Sequence, residues 1–152
     1  MSEKFILLVE DNPSDEALTL RALRKNNISS PVVVKRDGAE ALDYLLARRS
    51  DSGGACALPQ LILLDLKLPK IDGLEVLRRI RADARTRLLP VVILTSSRED
   101  TDLVRGYDFG ANGYVRKPVD FVQFAEAVRQ IGLYWLIINE PAPTAGNICP
   151  SH

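Results

Sequence analysis

The chain reads as an α/β protein of the doubly wound class, a parallel sheet with helices on both faces. Three observations lead there. Short unbroken apolar runs occur at residues 5–9, 61–64 and 91–94. Helical patterns with recognisable caps lie between them, and chemically capable residues stand at the carboxyl ends of the runs. Apolar runs of this length suit strands covered on both faces, as in a parallel sheet.

Taken in order, the run 5–9 is followed by Asn12, Pro13 and Asp15, which are the cap, first-turn proline and first-turn acid of a helix. Residues 32–35 make a mixed second strand, and Ala41, Leu42, Leu45 and Leu46 share one face of the next helix. Residues 48–59 are polar, contain glycine and lack periodicity, which predicts an extended loop. After the third strand at 61–64, Asp72 and Glu75 have capping-box spacing, with Asp in place of Ser or Thr. Residues 91–94 and 114–116 supply the fourth and fifth strands. Phe121, Phe124, Ala125, Val128 and Trp135 then line one face of the last helix. Five alternating strand and helix units make a doubly wound sheet.

A length of 152 residues is enough for one ordinary core, so one domain is expected. Twenty basic and twenty acidic residues cancel, so no global field favours nucleic acid or an anionic membrane. Cys56 and Cys149 are far apart and the single histidine is His152, a pattern without metal-ligand spacing or a disulfide framework. The first apolar run is too short for a signal peptide or a membrane span, which predicts a cytoplasmic protein.

In an open α/β sheet, ligands bind outside the carboxyl ends of the strands. Here those ends carry Glu10 and Asp11, then Asp65, then Thr95 and Ser96, then Lys117 and Pro118. Three like charges brought together repel unless a cation lies among them, and a hard divalent ion, Mg²⁺ or Mn²⁺, suits oxygen donors. Asp11 and Asp65 would ligate it directly and Glu10 through water. Asp65 is then a nucleophile toward a phosphoryl donor, with Lys117 neutralising charge on the transferring oxygens and Thr95 bonding a phosphoryl oxygen afterwards. Taken singly, each of these residues is ordinary: acidic pairs are usually solvated loops, and an aspartate four residues before a proline commonly marks a turn. Five such residues at four successive strand ends are not.

The stretches ILLVED at 6–11, LILLDLKLPKIDG at 61–73, VILTS at 92–96 and GYVRKP at 113–118 resemble the receiver domain of response regulators in two-component signalling. The resemblance covers residues 4–131. It implies a flavodoxin-like receiver fold with strand order 2-1-3-4-5, and Asp65 as phosphoacceptor. It also implies Glu10 and Asp11 as the acidic pair, the Lys67 main-chain carbonyl as a further metal ligand, Thr95 as switch hydroxyl, Tyr114 as switch aromatic, and Lys117 before a cis Pro118. Lys67, Ser96 and Pro118 would border the phosphate. A sensor histidine kinase is the implied partner, and a histidine phosphotransfer protein is a second. The long 48–59 segment and the ending GLYWLIINEPAP are similar to the small regulators of phytochrome-type kinases, which points to a bacteriophytochrome.

The expected organisation is a receiver domain over 1–139, a disordered tail over 140–152 and no output domain. The expected role is a signalling module, not an enzyme with turnover. A phosphatase of the haloacid-dehalogenase type shares the aspartate nucleophile and Mg²⁺ but needs a second aspartate two residues later, where this chain has Lys67. A flavodoxin-like electron carrier would want a Ser-, Thr- and Gly-rich loop after the first strand, where Glu10 and Asp11 repel a flavin phosphate. Residues 132–138 are apolar all round a helix. They are read as part of a homodimer interface formed by the fourth and fifth helices and the fifth strand, with Tyr134 and Trp135 near the axis; the alternative is a helix end packed under the tail.

Overall fold

The computed structural model describes residues 5–28, 30–47, 58–95, 107–116 and 121–132. Five parallel strands form one sheet: β1 (Ile6–Val9), β2 (Val32–Lys35), β3 (Leu61–Leu64), β4 (Val91–Thr95) and β5 (Gly113–Arg116), in the order β2-β1-β3-β4-β5. Sequence reading located all five strands, within a residue at their ends.

Alternation along the strands explains why continuous apolar runs are needed. Leu7, Val9, Ile62, Leu64, Val91 and Ile93 face one layer, where they pack with residues of α2 (Gly38–Leu42) and α3 (Gly73–Ala82). Ile6, Leu8, Leu61, Leu63, Val92 and Leu94 face the other, against α1 (Pro13–Lys25) and the C-terminal helix Phe121–Gly132. Each face has its own core, so neither side of a central strand tolerates a polar residue. Phe124 is fully buried in the second core. Truncating such a residue to alanine costs about 3–5 kcal/mol. β2 is an edge strand and is only half-buried throughout.

The caps follow from side-chain chemistry. Asn12 accepts hydrogen bonds from the Ser14 and Asp15 amides at 2.8 and 3.1 Å, satisfying donors that the first turn of α1 leaves free. Asp72 accepts from the Glu75 amide at 3.1 Å at the start of α3. The Glu75 carboxylate turns outward to Arg78 and Arg79 at 2.9 and 2.8 Å, so only the forward half of the anticipated capping box is made. After Leu42, α2 continues as a wider π-type turn over Asp43–Ala47. Ala41, Leu42 and Leu45 are buried as expected, and Leu46 is half-buried.

Of the anticipated fourth helix, Tyr107 and Asp108 are described and are helical. The loop expected at 48–59 is described only at Leu58 and Pro59. The stretch 133–138 and the tail 140–152 lie outside the described residues. No helix among the described residues is long and apolar enough to cross a membrane.

Candidate functional site

Strand register builds the site. Val9 pairs with Leu64 across β1 and β3, so the next residues, Glu10 and Asp65, leave the sheet side by side. The backbone holds both in place, since the Asp65 amide donates to the Val9 carbonyl at 3.1 Å and the Glu10 amide to the Lys35 carbonyl at 3.0 Å. Glu10 is 1% and Asp65 6% exposed, whereas Asp11 is open to solvent. One carboxylate oxygen from each of the three residues lies within 4.8 Å of the others.

At that spacing each pair of negative charges repels by about 3 kcal/mol at an effective dielectric near 20. A cluster made only of hard, anionic oxygens, two of them buried and one reaching solvent, has the donor chemistry of a divalent-cation site. Local amides steer the carboxylates. The Lys67 amide donates to Asp65 Oδ1 and the Asn12 amide to Glu10 Oε2, both at 3.3 Å.

The loop that follows Asp65 is packed closely against its surroundings. The Gly73 amide bonds the Leu66 carbonyl at 2.9 Å, and a Cβ on Gly73 would collide with the Asp65 carbonyl and lie 2.6 Å from Leu66 Cα. A Cβ on Gly38, the first residue of α2, would likewise strike the Ile71 carbonyl. Glycine is required at both places by the approach of backbone to backbone. Lys70 has φ of 68°, in the left-handed region, and its ammonium is 3.4 Å from Asp37 Oδ2. Asp37 Oδ1 caps α2 by accepting from the Glu40 amide at 2.7 Å. That hydrogen bond, with help from Lys70, holds the Asp37 carboxyl below its ordinary pKa.

Glu10, Asp11 and Asp65, three of the residues expected at the site, are therefore brought together, with Lys67 exposed beside them. Thr95 ends β4, the neighbour of β3, at the same edge of the sheet. Tyr114 lies in β5, paired with Ile93. The side chains of Thr95 and Tyr114, and the whole of Ser96, Lys117, Pro118, Tyr134 and Trp135, fall outside the described residues, as does the expected cis peptide. Sequence reasoning missed Asp37, Gly38 and Lys70. A signal existed for the first: Asp37 and Glu40 have capping spacing immediately after the second strand.

The response regulator receiver domain family matches residues 6–129. Over 139 residues the chain is 45% identical to the probable methanogenesis regulatory protein FilR2 of Methanothrix harundinacea, covering 91% of this chain and 88% of that protein. It is 35% identical over 133 residues to the response regulator Rcp1 of Synechocystis, covering 88% and 89% of the two chains. The crystal structure of the Mn²⁺-bound form of Rcp1 superposes with a TM-score of 0.80 at 34% identity, covering 92% of this chain and 99% of that one. The bacteriophytochrome response regulator AtBRR superposes with a TM-score of 0.71 at 50% identity, covering 92% of this chain and all of the other.

Proposed function

The chain belongs to the response regulator receiver domain family, and on that premise we propose that Asp65 is the residue that accepts the phosphoryl group from a histidine kinase. The observation that carries this assignment is the convergence of Asp65 with Glu10 and Asp11 within 4.8 Å at the carboxyl edge of the sheet. Nothing supports the phosphatase alternative, and Lys67 occupies the position where its acid–base aspartate would stand.

The Asp65 carboxylate attacks the phosphorus of the donor. An oxygen–phosphorus bond forms, the bond to the donor's leaving group breaks with its electron pair, and an aspartyl phosphate results. Mg²⁺ or Mn²⁺ held by Glu10, Asp11, Asp65 and the Lys67 main-chain carbonyl supplies neutralisation of the phosphoryl oxygens when bound. The Lys117 ammonium balances the same charge. The Thr95 hydroxyl then donates to a phosphoryl oxygen, with Tyr114 following it, so that the chemistry acquires a structural consequence. Ser96, Lys67 and Pro118 border the group. Self-phosphorylation and self-dephosphorylation are the only chemistry in this proposal, and the product is a signal.

The partner is a sensor histidine kinase, here of the bacteriophytochrome kind, a choice supported by the likeness to AtBRR. A histidine phosphotransfer protein is a further partner to profile. One receiver domain over 1–139 forms a homodimer through the segment from Asp100 to residue 138, with Tyr134 and Trp135 near the axis. Tyr107 and Val122, 52% and 68% exposed within that segment, support an apolar contact there.

The test is labelling with acetyl phosphate. Stoichiometric incorporation that requires Mg²⁺ and is absent from Asp65→Asn supports the assignment. Wild-type incorporation into that variant, or turnover on a generic phosphatase substrate, sinks it.

A further inference from the structure

We propose that Lys70 and Asp37 act as a positioning pair, holding the loop that carries Asp65 and Lys67 in the arrangement that cation binding and phosphoryl transfer need. The proposal rests on the function proposed above and adds two residues to it.

The loop from Asp65 to Asp72 joins β3 to α3, and its shape decides where the Lys67 backbone stands relative to the Asp65 carboxylate. Both ends are set by backbone contact, Gly73 against the Asp65 carbonyl and Gly38 against the Ile71 carbonyl. Between those contacts lies Lys70, in a left-handed conformation at φ 68° that disfavours any residue with a Cβ. A backbone of this kind persists only where its surroundings hold it. The Ile71 amide closes this turn on the Pro69 carbonyl at 2.8 Å, and the ion pair of Lys70 Nζ with Asp37 Oδ2 at 3.4 Å ties the turn to the start of α2.

Asp37 is well placed to serve as the fixed partner. Its side chain is 15% exposed against 67% for Lys70, and its other oxygen is already committed to the Glu40 amide at the start of α2. The carboxylate thus bridges a helix terminus and a catalytic loop that lie far apart in the chain. A freely solvated lysine needs neither a left-handed backbone nor a partner that is already anchored. The pair touches no phosphoryl oxygen in this scheme and acts through the loop alone.

The experiment compares wild type with Lys70→Gln, Asp37→Asn, the double variant and Lys70→Arg. Asp37→Asn keeps a side-chain oxygen for the cap while removing the charge. Mn²⁺ affinity is read by electron paramagnetic resonance, the acetyl phosphate labelling rate is measured in Mg²⁺, and thermal melting monitors folding. Each single variant is expected to weaken Mn²⁺ binding and slow labelling about two- to fivefold, an effect scaled to a largely exposed ion pair behind a metal site. The double variant should be no worse than either single one, and Lys70→Arg should restore both readings. Wild-type affinity and rate in Lys70→Gln, or additive losses in the double variant, overturn the pairing. If the wild-type protein neither binds Mn²⁺ nor takes label, the functional assignment falls and the pairing with it.

Discussion

The guanidinium of Arg81 donates two hydrogen bonds to the carbonyl of Gly110, from Nε at 2.9 Å and from Nη2 at 2.7 Å. Its remaining donors reach the Leu89 and Arg87 carbonyls at 2.7 and 3.0 Å and Asn112 Oδ1 at 2.7 Å. The end of α3 is thereby tied to the segments that precede β4 and β5. Asn112 completes the tie, since its amide donates to the Val91 carbonyl at 2.8 Å and its side chain accepts from the Val91 amide at 2.9 Å. Gly110 takes φ of 98°, and a Cβ there would lie 2.9 Å from Arg81 Nε.

Replacing Arg81 by methionine keeps much of the apolar stem but leaves several carbonyls without donors. The expected loss of stability is about 2–3 kcal/mol, because part-buried acceptors are stranded. Urea unfolding measures it, and a loss below about 0.5 kcal/mol, the range of an ordinary surface substitution, would show that the guanidinium is not a brace.

Lys67 stands two residues after Asp65, exposed, with its amide on Asp65 Oδ1. In the proposed site an ammonium there would shield the phosphoryl group, and this side chain has no carboxylate or carboxamide to orient an attacking water. Lys67→Asn is expected to shorten the half-life of the aspartyl phosphate, followed by loss of label after removal of acetyl phosphate. An unchanged or longer half-life removes Lys67 from the account.

Hydrogen bonds from Arg78 and then Arg79 pull the Glu75 carboxyl from 4.5 down to about 2. A depressed folded-state pKa means that the charged form is favoured in the folded protein. Its contribution to stability is complete above pH 4.5 and fades as the pH falls toward 2. Glu75→Gln should therefore flatten the acid limb of stability between those values while leaving pH below 2 unaffected. Carbon-detected NMR titration of Glu75 gives the direct check, and a midpoint near 4.5 contradicts it.

Thr19 is 1% exposed within α1, and its hydroxyl is buried without a hydrogen-bond partner among the described residues. Valine has the same shape and nearly the same helix propensity, so Thr19→Val removes a desolvated polar group at little packing cost. A gain of about 1 kcal/mol is expected in chemical denaturation. A loss instead would mean that the hydroxyl is satisfied in solution.

The homodimer proposal makes a solution prediction. Light scattering at high micromolar concentration should give twice the monomer mass for the phosphorylated protein, and Trp135→Ala should reduce it. Monomers before and after phosphorylation would return residues 132–138 to the alternative of a helix end packed on its own domain.

What the sequence determined by itself was local in origin. The runs at 61–64 and 91–94 are legible because a strand buried on both faces must be apolar at every position, and caps such as Asn12 and Asp72 act within three residues of themselves. Glu10, Asp11 and Asp65 were legible as a site because a parallel sheet places the ends of its strands at one edge, so linear position at a run's end already implies convergence. Only the tertiary structure decided which face each strand residue serves, that Gly38 and Gly73 must lack a Cβ, and that Lys70 meets Asp37 while Arg81 meets Gly110. Those contacts join segments far apart in the chain, and a charged residue or a glycine carries no periodicity that names its partner. Their energies depend on distances that exist only once the sheet has registered and the loops have closed over it.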